Sequence, residues 1–418
     1  MSLLLVISVL FVLTAVLGVV NERYLRLQPS IGLMLLALVM SLMFLGLKSA
    51  GIVAGLGFLD ALVDGRYLSN VLLNGVLCFM LFAGSAGVEF KSLEKDEWTI
   101  GTLAIGATLI ACLLTGALLH LVLGWLGVSL AIGYALVFGA LISPTDPIAA
   151  LAILKAAGLP PRLEAIINGE SLFNDGVGVV LFTLALAYAQ GSGHDGSPLA
   201  LFLREVLGGV GLGLAVGVAI HVMLLRTQSY ANQLLVTLGW VALGYSVALQ
   251  IDVSGPIAMV VAGLVAGNVT IPRLSEEIRA PLRTFWAGVD DLLNSLLFVM
   301  IGLTVVVVHS LPFAPLIKTL PVAILVCLAA RAVSVYVPIF FLNVTHTLEG
   351  DRKGVTKLLT WGGLRGGLAL ALALSLPESH DKPLLVNMTF AVVAFSLLVQ
   401  GSTIAKLFKP DYLKALLK

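Results

Sequence analysis

Charge is scarce in this sequence, and the scarcity decides its class. Only 11% of its 418 residues are Asp, Glu, Lys or Arg, against 59% hydrophobic, and mean hydropathy is +1.07. Soluble domains carry about 25% charged residues, so a chain this poor in charge belongs to a polytopic membrane protein. No cluster of basic residues on a soluble surface is visible, which excludes a nucleic-acid binder; the net charge of +1 says nothing about partners, and the apolar composition makes the lipid bilayer one. Cysteine is nearly absent as well. Cys78, Cys112 and Cys327 lie inside apolar segments without metal-ligand spacing, so they read as small buried apolar residues rather than a disulfide framework. The first apolar run has no basic stretch before it and no small-residue cleavage site after it, where Asn21-Glu22-Arg23-Tyr24 follows. It is expected to be a retained helix, not a cleaved signal.

What the sequence has in abundance is apolar runs. A bilayer-spanning helix needs about 20 apolar residues. Thirteen spans are expected, at 3–20, 30–47, 68–90, 98–123, 129–156, 163–190, 199–225, 230–250, 254–270, 284–309, 314–342, 354–376 and 384–408. The Gly-rich stretch 48–67 is a candidate for a short interfacial or broken helix. No gap between spans holds a soluble domain, so residues 1–418 read as a single all-α transmembrane domain. The loops after the odd-numbered spans, with the C-terminus, carry seventeen Lys and Arg against five on the other side. The positive-inside rule then places the N-terminus outside and the C-terminus in the cytoplasm.

Two spans contain breaks. In the fifth, Ser143-Pro144-Thr145-Asp146-Pro147 sets two prolines around a carboxylate, removing backbone donors mid-membrane. In the twelfth, Gly362-Gly363-Leu364-Arg365-Gly366-Gly367 loosens the helix around a cation. Two broken helices, seven spans apart, are the expected mark of two inverted repeats, and such breaks line ion sites. The sixth span adds Asn168-Gly169-Glu170-Ser171-Leu172-Phe173-Asn174-Asp175. A charged side chain at bilayer depth costs roughly 2.5–3.5 kcal/mol, so three acids within thirty residues mark a wet, functional cavity.

Helical spacing puts Ser171 and Asp175 on one face, and Glu170 and Asn174 on the neighbouring one. Thr145, Asp146, Ser171 and Asp175 therefore form the candidate ion site. Their carboxylate and hydroxyl oxygens, without thiolate or imidazole, suit a hard cation, and a transported ion must be held weakly enough to leave. Desolvation disfavours the charged carboxylate, so Asp175 can hold either a proton or a metal cation. The bland alternative is a structural Asp bonded to hydroxyls. Glu170 is the expected partner of Arg331, which lies in the middle of the eleventh span, and the pair reads as structural. For Arg365 two readings stand level: offsetting the C-terminal end of a half-helix, or facing a vestibule. His120 and His221 read as interfacial. Asp290, Asp291 and Asn294 open the tenth span in this reading, where first-turn acids cap a helix.

The runs SPTDP, NGESLFNDGVGVVLF, GPIAMVVAGLVAGN, FWAGVDDLLNSLLFVMIGL and GGLRGGLALALALSLP resemble the NhaP/NHE-type sodium/proton antiporters, in matching order from Pro29 to Leu376. The resemblance implies an inverted-repeat antiporter fold of about thirteen helices with two broken crossing helices, a homodimer, and electroneutral exchange of one Na+ (often Li+) for one H+. It assigns the ion site to Thr145, Asp146, Ser171 and Asp175, a supporting amide to Asn174, and the core ion pair to Glu170 and Arg331. One position departs from it: where many relatives carry a Glu in the third helix, this chain has Ala83, and Glu89 lies nearly two turns further on. The electrogenic branch has Asp where this chain has Asn174, which argues against a two-proton cycle.

The main alternative is a potassium/proton antiporter built from the same ligands. A cation channel would need a carbonyl filter or a ring of acids, neither of which is visible. An intramembrane aspartyl protease is disfavoured by the Asp146-Pro147 dipeptide and the lack of a Gly-x-Gly-Asp run. No enzyme activity and no cofactor are expected beyond the transported ions.

Overall fold

A computed structural model describes residues 3–50, 75–191, 198–304, 313–344 and 351–416. Most of the 48–67 stretch and the first residues of the third expected span lie outside them. Apolar runs become helices because only a helix satisfies its own backbone in lipid. In chain order they are α1 (Leu3–Val20), α2 (Pro29–Ser49), α3 (Leu77–Ala86), α4 (Glu97–Trp125), α5 (Ile132–Ile142), α6 (Ile148–Ala156), α7 (Pro161–Ala189) and α8 (Pro198–Leu224). There follow α9 (Tyr230–Gln250), α10 (Gly255–Arg273), α11 (Glu276–Leu303), α12 (Phe313–Val344), α13 (Arg352–Gly362), α14 (Gly367–Ser375) and α15 (Lys382–Leu407).

Among the described residues, ten of these helices are long and apolar enough to cross a membrane, or eleven with the bent pair α13–α14 counted as one span. The shorter α3 and α5 occupy the two remaining expected spans, so the thirteen-span reading is compatible with the fold. Local sequence sets the ends. Pro29, Pro161 and Pro256 occupy first turns, where a missing N–H costs nothing. Gly158 takes a left-handed φ of +83° just beyond α6, letting the chain reverse into α7.

Both expected breaks are present. α5 and α6 are parted by Ser143–Pro147, and α13 and α14 by Gly363–Gly366 with a bend of 50°. The helices fall into two packing groups. In one, α11 lies along α2, while α3 and α8 pack on α10. In the other, α5 packs between α4 and α7, α12 runs along α4 and α15, and α14 meets both α5 and α15. The seam between them is formed by α7 against α8 and α10, with smaller contacts of α11 on α14 and of α2 on α6 and α15.

One expectation fails here. Helix α11 begins at Glu276, not near residue 284, so Asp290 and Asp291 stand in its middle and cap nothing. The charged first turns, with Glu276, Glu277, Arg279 and Arg283, hid the helix start from a reading based on apolar runs.

A candidate ion site at the crossing of two broken helices

The two breaks are tied main chain to main chain: the Asp146 amide donates to the Leu364 carbonyl at 2.8 Å. This bond exists because Pro144 and Pro147 interrupt the α5–α6 ladder and leave the Asp146 N–H without an intrahelical acceptor. Gly366 makes the approach possible, since a Cβ there would overlap the Asp146 carboxylate. Gly178 does the same for Pro144 on the α7 side.

Thr145 is held by α7 from three directions. Its N–H donates to Asn174 Oδ1 (3.3 Å), its Oγ1 accepts from Asn174 Nδ2 (2.8 Å), and its carbonyl accepts from the Ser171 hydroxyl. Ser171 and Asn174, three residues apart, thus act together on Thr145. Expectation had set Asn174 beside Glu170 on the neighbouring face; the spacing of three allows the grouping with Ser171 equally.

Asp146 Oδ1 accepts from the Ile148 N–H at 3.0 Å, which caps the start of α6. Asp175 is half-buried, makes no hydrogen bond or ion pair among the described residues, and lies within electrostatic reach of Asp146. The four expected ion-site residues therefore divide. Thr145 and Ser171 are engaged with each other, while Asp146 and Asp175 present carboxylate oxygen to the crossing.

Both nearby guanidinium groups are engaged elsewhere. Arg331 Nη2 lies 2.8 Å from Glu170 Oε1, with both side chains almost fully buried (3% and 2% exposed). The same nitrogen donates to the Leu359 carbonyl at 3.1 Å, the last turn of α13, and Gly363 leaves room for the guanidinium. Arg365 is buried; its Nη1 donates to the carbonyls of Ser143 (2.6 Å) and Pro144 (2.8 Å), which end α5. Of the two level readings, the half-helix end is where Arg365 sits, and the half-helix belongs to the other repeat. A π-helical turn at Ser396–Gly401 in α15 brings Ser396 Oγ to accept the Arg365 N–H at 2.7 Å.

Other singled-out residues lie away from the crossing. His120 Nδ1 contacts the Leu130 carbonyl (2.8 Å) and His221 Nδ1 contacts Thr270 Oγ1 (3.1 Å). Ala83 is buried among apolar neighbours in α3, and Glu89 is exposed just ahead of a short helix, Phe90–Glu94. The sequence reading overlooked the Asp96–Arg162 pair, whose Nη2–Oδ1 distance is 2.7 Å, because the two residues are far apart in the chain, one just ahead of α4 and the other in the first turn of α7. Along the seam, a cavity of about 620 Å³ is lined by Phe173, Gly176 and Ile257, and another of about 340 Å³ by Thr183, Glu205 and Tyr245.

Residues 7–409 match the family model described as sodium/hydrogen exchanger, transmembrane. The chain is 39% identical over 414 residues to the Na(+)/H(+) antiporter NhaP of Pseudomonas aeruginosa, covering 97% of this chain and 96% of that one. It is 32% identical over 381 residues to the Na(+)/H(+) antiporter NhaH of Halobacillus dabanensis, covering 87% and 91%. The solved structure of the sodium proton antiporter MjNhaP1 from Methanocaldococcus jannaschii superposes with a TM-score of 0.75 at 19% identity, covering 100% of both chains, which establishes a shared fold. By its sequence match along nearly the whole chain, this multi-pass membrane protein belongs to the transmembrane sodium/hydrogen exchanger family.

Proposed function

We propose that the protein exchanges a monovalent cation, Na+ or Li+, for a proton across the membrane, with Asp175 binding one or the other in turn. One observation carries this reading. Asp146 and Asp175 are intramembrane carboxylates within electrostatic reach of each other, yet Arg331 is engaged by Glu170 and Arg365 by backbone carbonyls. Uncompensated carboxylates at bilayer depth are costly, so their neutralising partner is drawn from solution, as a cation or a proton. Thr145, held in place by Ser171 and Asn174, supplies further hard oxygen beside them.

Asn174 carries no titratable proton and Glu170 is neutralised by Arg331, which leaves one exchanging group if Asp146 keeps its capping bond to Ile148. One cation then replaces one proton and no net charge moves. In this reading residues 1–418 act as one transport domain, as a homodimer, with the N-terminus outside and the Lys/Arg-rich loops and C-terminus in the cytoplasm. The names of the relatives support the exchange, and the imbalance of basic residues between the two sets of loops supports the orientation.

The test is Asp175→Asn in proteoliposomes. An amide matches the carboxylate in shape and cannot cycle a proton, so cation-driven proton flux is expected to vanish while the protein still inserts and folds. Clear Na+-driven flux from the variant removes Asp175 from this role. Comparing Na+, Li+ and K+ in the same assay identifies the cargo.

A further inference from the structure

Asp290 is an intramembrane carboxylate that the crossing does not use. It stands halfway along α11 and is half-buried, whereas Asp291 beside it is exposed. One turn further on, Asn294 is 5% exposed. Its Nδ2 donates to the Asp290 carbonyl (2.8 Å) and to Asp290 Oδ1 (3.0 Å), while its own Oδ1 is buried without a hydrogen-bond partner among the described residues. A buried amide oxygen without a donor is uncommon in folded proteins and leaves room for a water or an ion as its partner. On α3 the position facing the Asp290 carboxylate is Gly84, where a Cβ would lie 4.0 Å from Asp290 Oδ1, so that position brings no polar side chain to it. The half-buried Asp290 carboxylate and, one turn on, the buried Asn294 amide oxygen are hard ligands of the kind an alkali cation takes.

The position along the helix adds a second argument. Leu297 packs on Gly367 at the second break, where Gly366 abuts Asp146. Asp290 lies seven residues earlier on the same helix, about 10 Å along its axis, towards the end that enters after Arg273. At that separation Asp290 still interacts electrostatically with Asp146.

We propose that the Asp290 carboxylate and the Asn294 amide oxygen form a second, transient binding position for the transported monovalent cation, two helical turns short of Asp146. The inference rests on the exchange reading above. With only two protein oxygens the cation keeps part of its water there, so it is held weakly and can pass on. A carboxylate in a low-dielectric cleft also raises the local cation concentration at the crossing.

The experiment is Na+ uptake by proteoliposomes, with the cation presented at one face at a time. Asp290→Asn keeps the shape and removes the charge. Half-saturating Na+ is expected to rise about tenfold at the face where α11 begins, with the maximal rate preserved within about twofold. Asn294→Ala is expected to raise the same constant by a smaller factor, and it carries the test if Asp290→Asn proves too unstable to reconstitute. Asp291→Asn, exposed one residue away, is expected to leave the constant unchanged. Three results overturn the proposal: an unchanged constant in Asp290→Asn and Asn294→Ala, an equal shift in Asp291→Asn, or lost flux at saturating Na+ in a folded Asp290→Asn protein. If the unmodified protein exchanges no cation at all, the exchange reading itself falls, and this one with it.

Discussion

Glu170 and Arg331 meet at 2.8 Å with almost no solvent on either side chain, in the interior of a membrane domain. Breaking a buried pair leaves one uncompensated charge and costs roughly 3–5 kcal/mol, whereas a matched apolar replacement of both is near neutral. Thermal stability in detergent is therefore expected to fall for Glu170→Gln and for Arg331→Met, and to recover in part in the double variant. Strictly additive losses would mean that the pair contributes nothing as a pair. The pairing was readable in the sequence because an unpaired guanidinium at that depth is too costly to stand alone. For Arg365 the sequence left two readings level. Its acceptors are the backbone carbonyls of Ser143 and Pro144, more than two hundred residues away in the chain, and no side chain announces them.

At the scale of elements, the break of one repeat is fitted into the break of the other. The Asp146–Leu364 hydrogen bond needs the two backbones close together, and Gly366 is the residue that allows it. Adding a methyl group in a packed site costs about 1–3 kcal/mol and is relieved by moving its neighbours. Gly366→Ala is accordingly expected to displace the Asp146 carboxylate and to lower Na+ flux about tenfold or more. Gly288→Ala on the open face of α11, where a Cβ meets nothing, is expected to preserve flux. Purified Gly366→Ala protein with full exchange activity would show that this close approach has no bearing on transport. Both breaks were legible as prolines and glycines inside apolar runs, since those residues interrupt a helix wherever they fall. The start of α11 was not legible, because its first turns place charged residues on a helix that runs on beyond the apolar stretch.

At the scale of the whole molecule, the seam between the two helix groups is loosely filled. Cavities of about 620 and 340 Å³ lie along α7 where it faces α8 and α10. A seam with few close contacts is what relative movement of the groups requires, and alternating access in such folds is largely rigid-body motion around a fixed site. The proposed cycle moves one cation against one proton. The membrane potential is worth about 2.3 kcal/mol per charge per 100 mV, and a cycle that moves no net charge gives it no handle. With matched ion gradients, a potassium–valinomycin potential is expected to drive no net Na+ movement. Movement driven by the potential alone would require a second titrating group, most plainly Asp146. Because Na+ and H+ compete for Asp175 in this scheme, the apparent cation affinity is expected to weaken as pH falls. An affinity independent of pH would rule out competition at one carboxylate.

The sequence by itself determined the membrane class, the places of most of the spans, the two breaks and the residues that carry charge at depth. Each follows from the cost of placing a polar group in hydrocarbon, a cost paid locally and so visible locally. The tertiary structure decided which of those charges are already answered. Arg331 meets Glu170, Arg365 meets the end of α5, Ser171 and Asn174 clasp Thr145, and Asp146, Asp175 and Asp290 are left without a basic partner among the described residues. Partnership across helices depends on distances between residues far apart in the chain, and those distances exist only once the two repeats have packed.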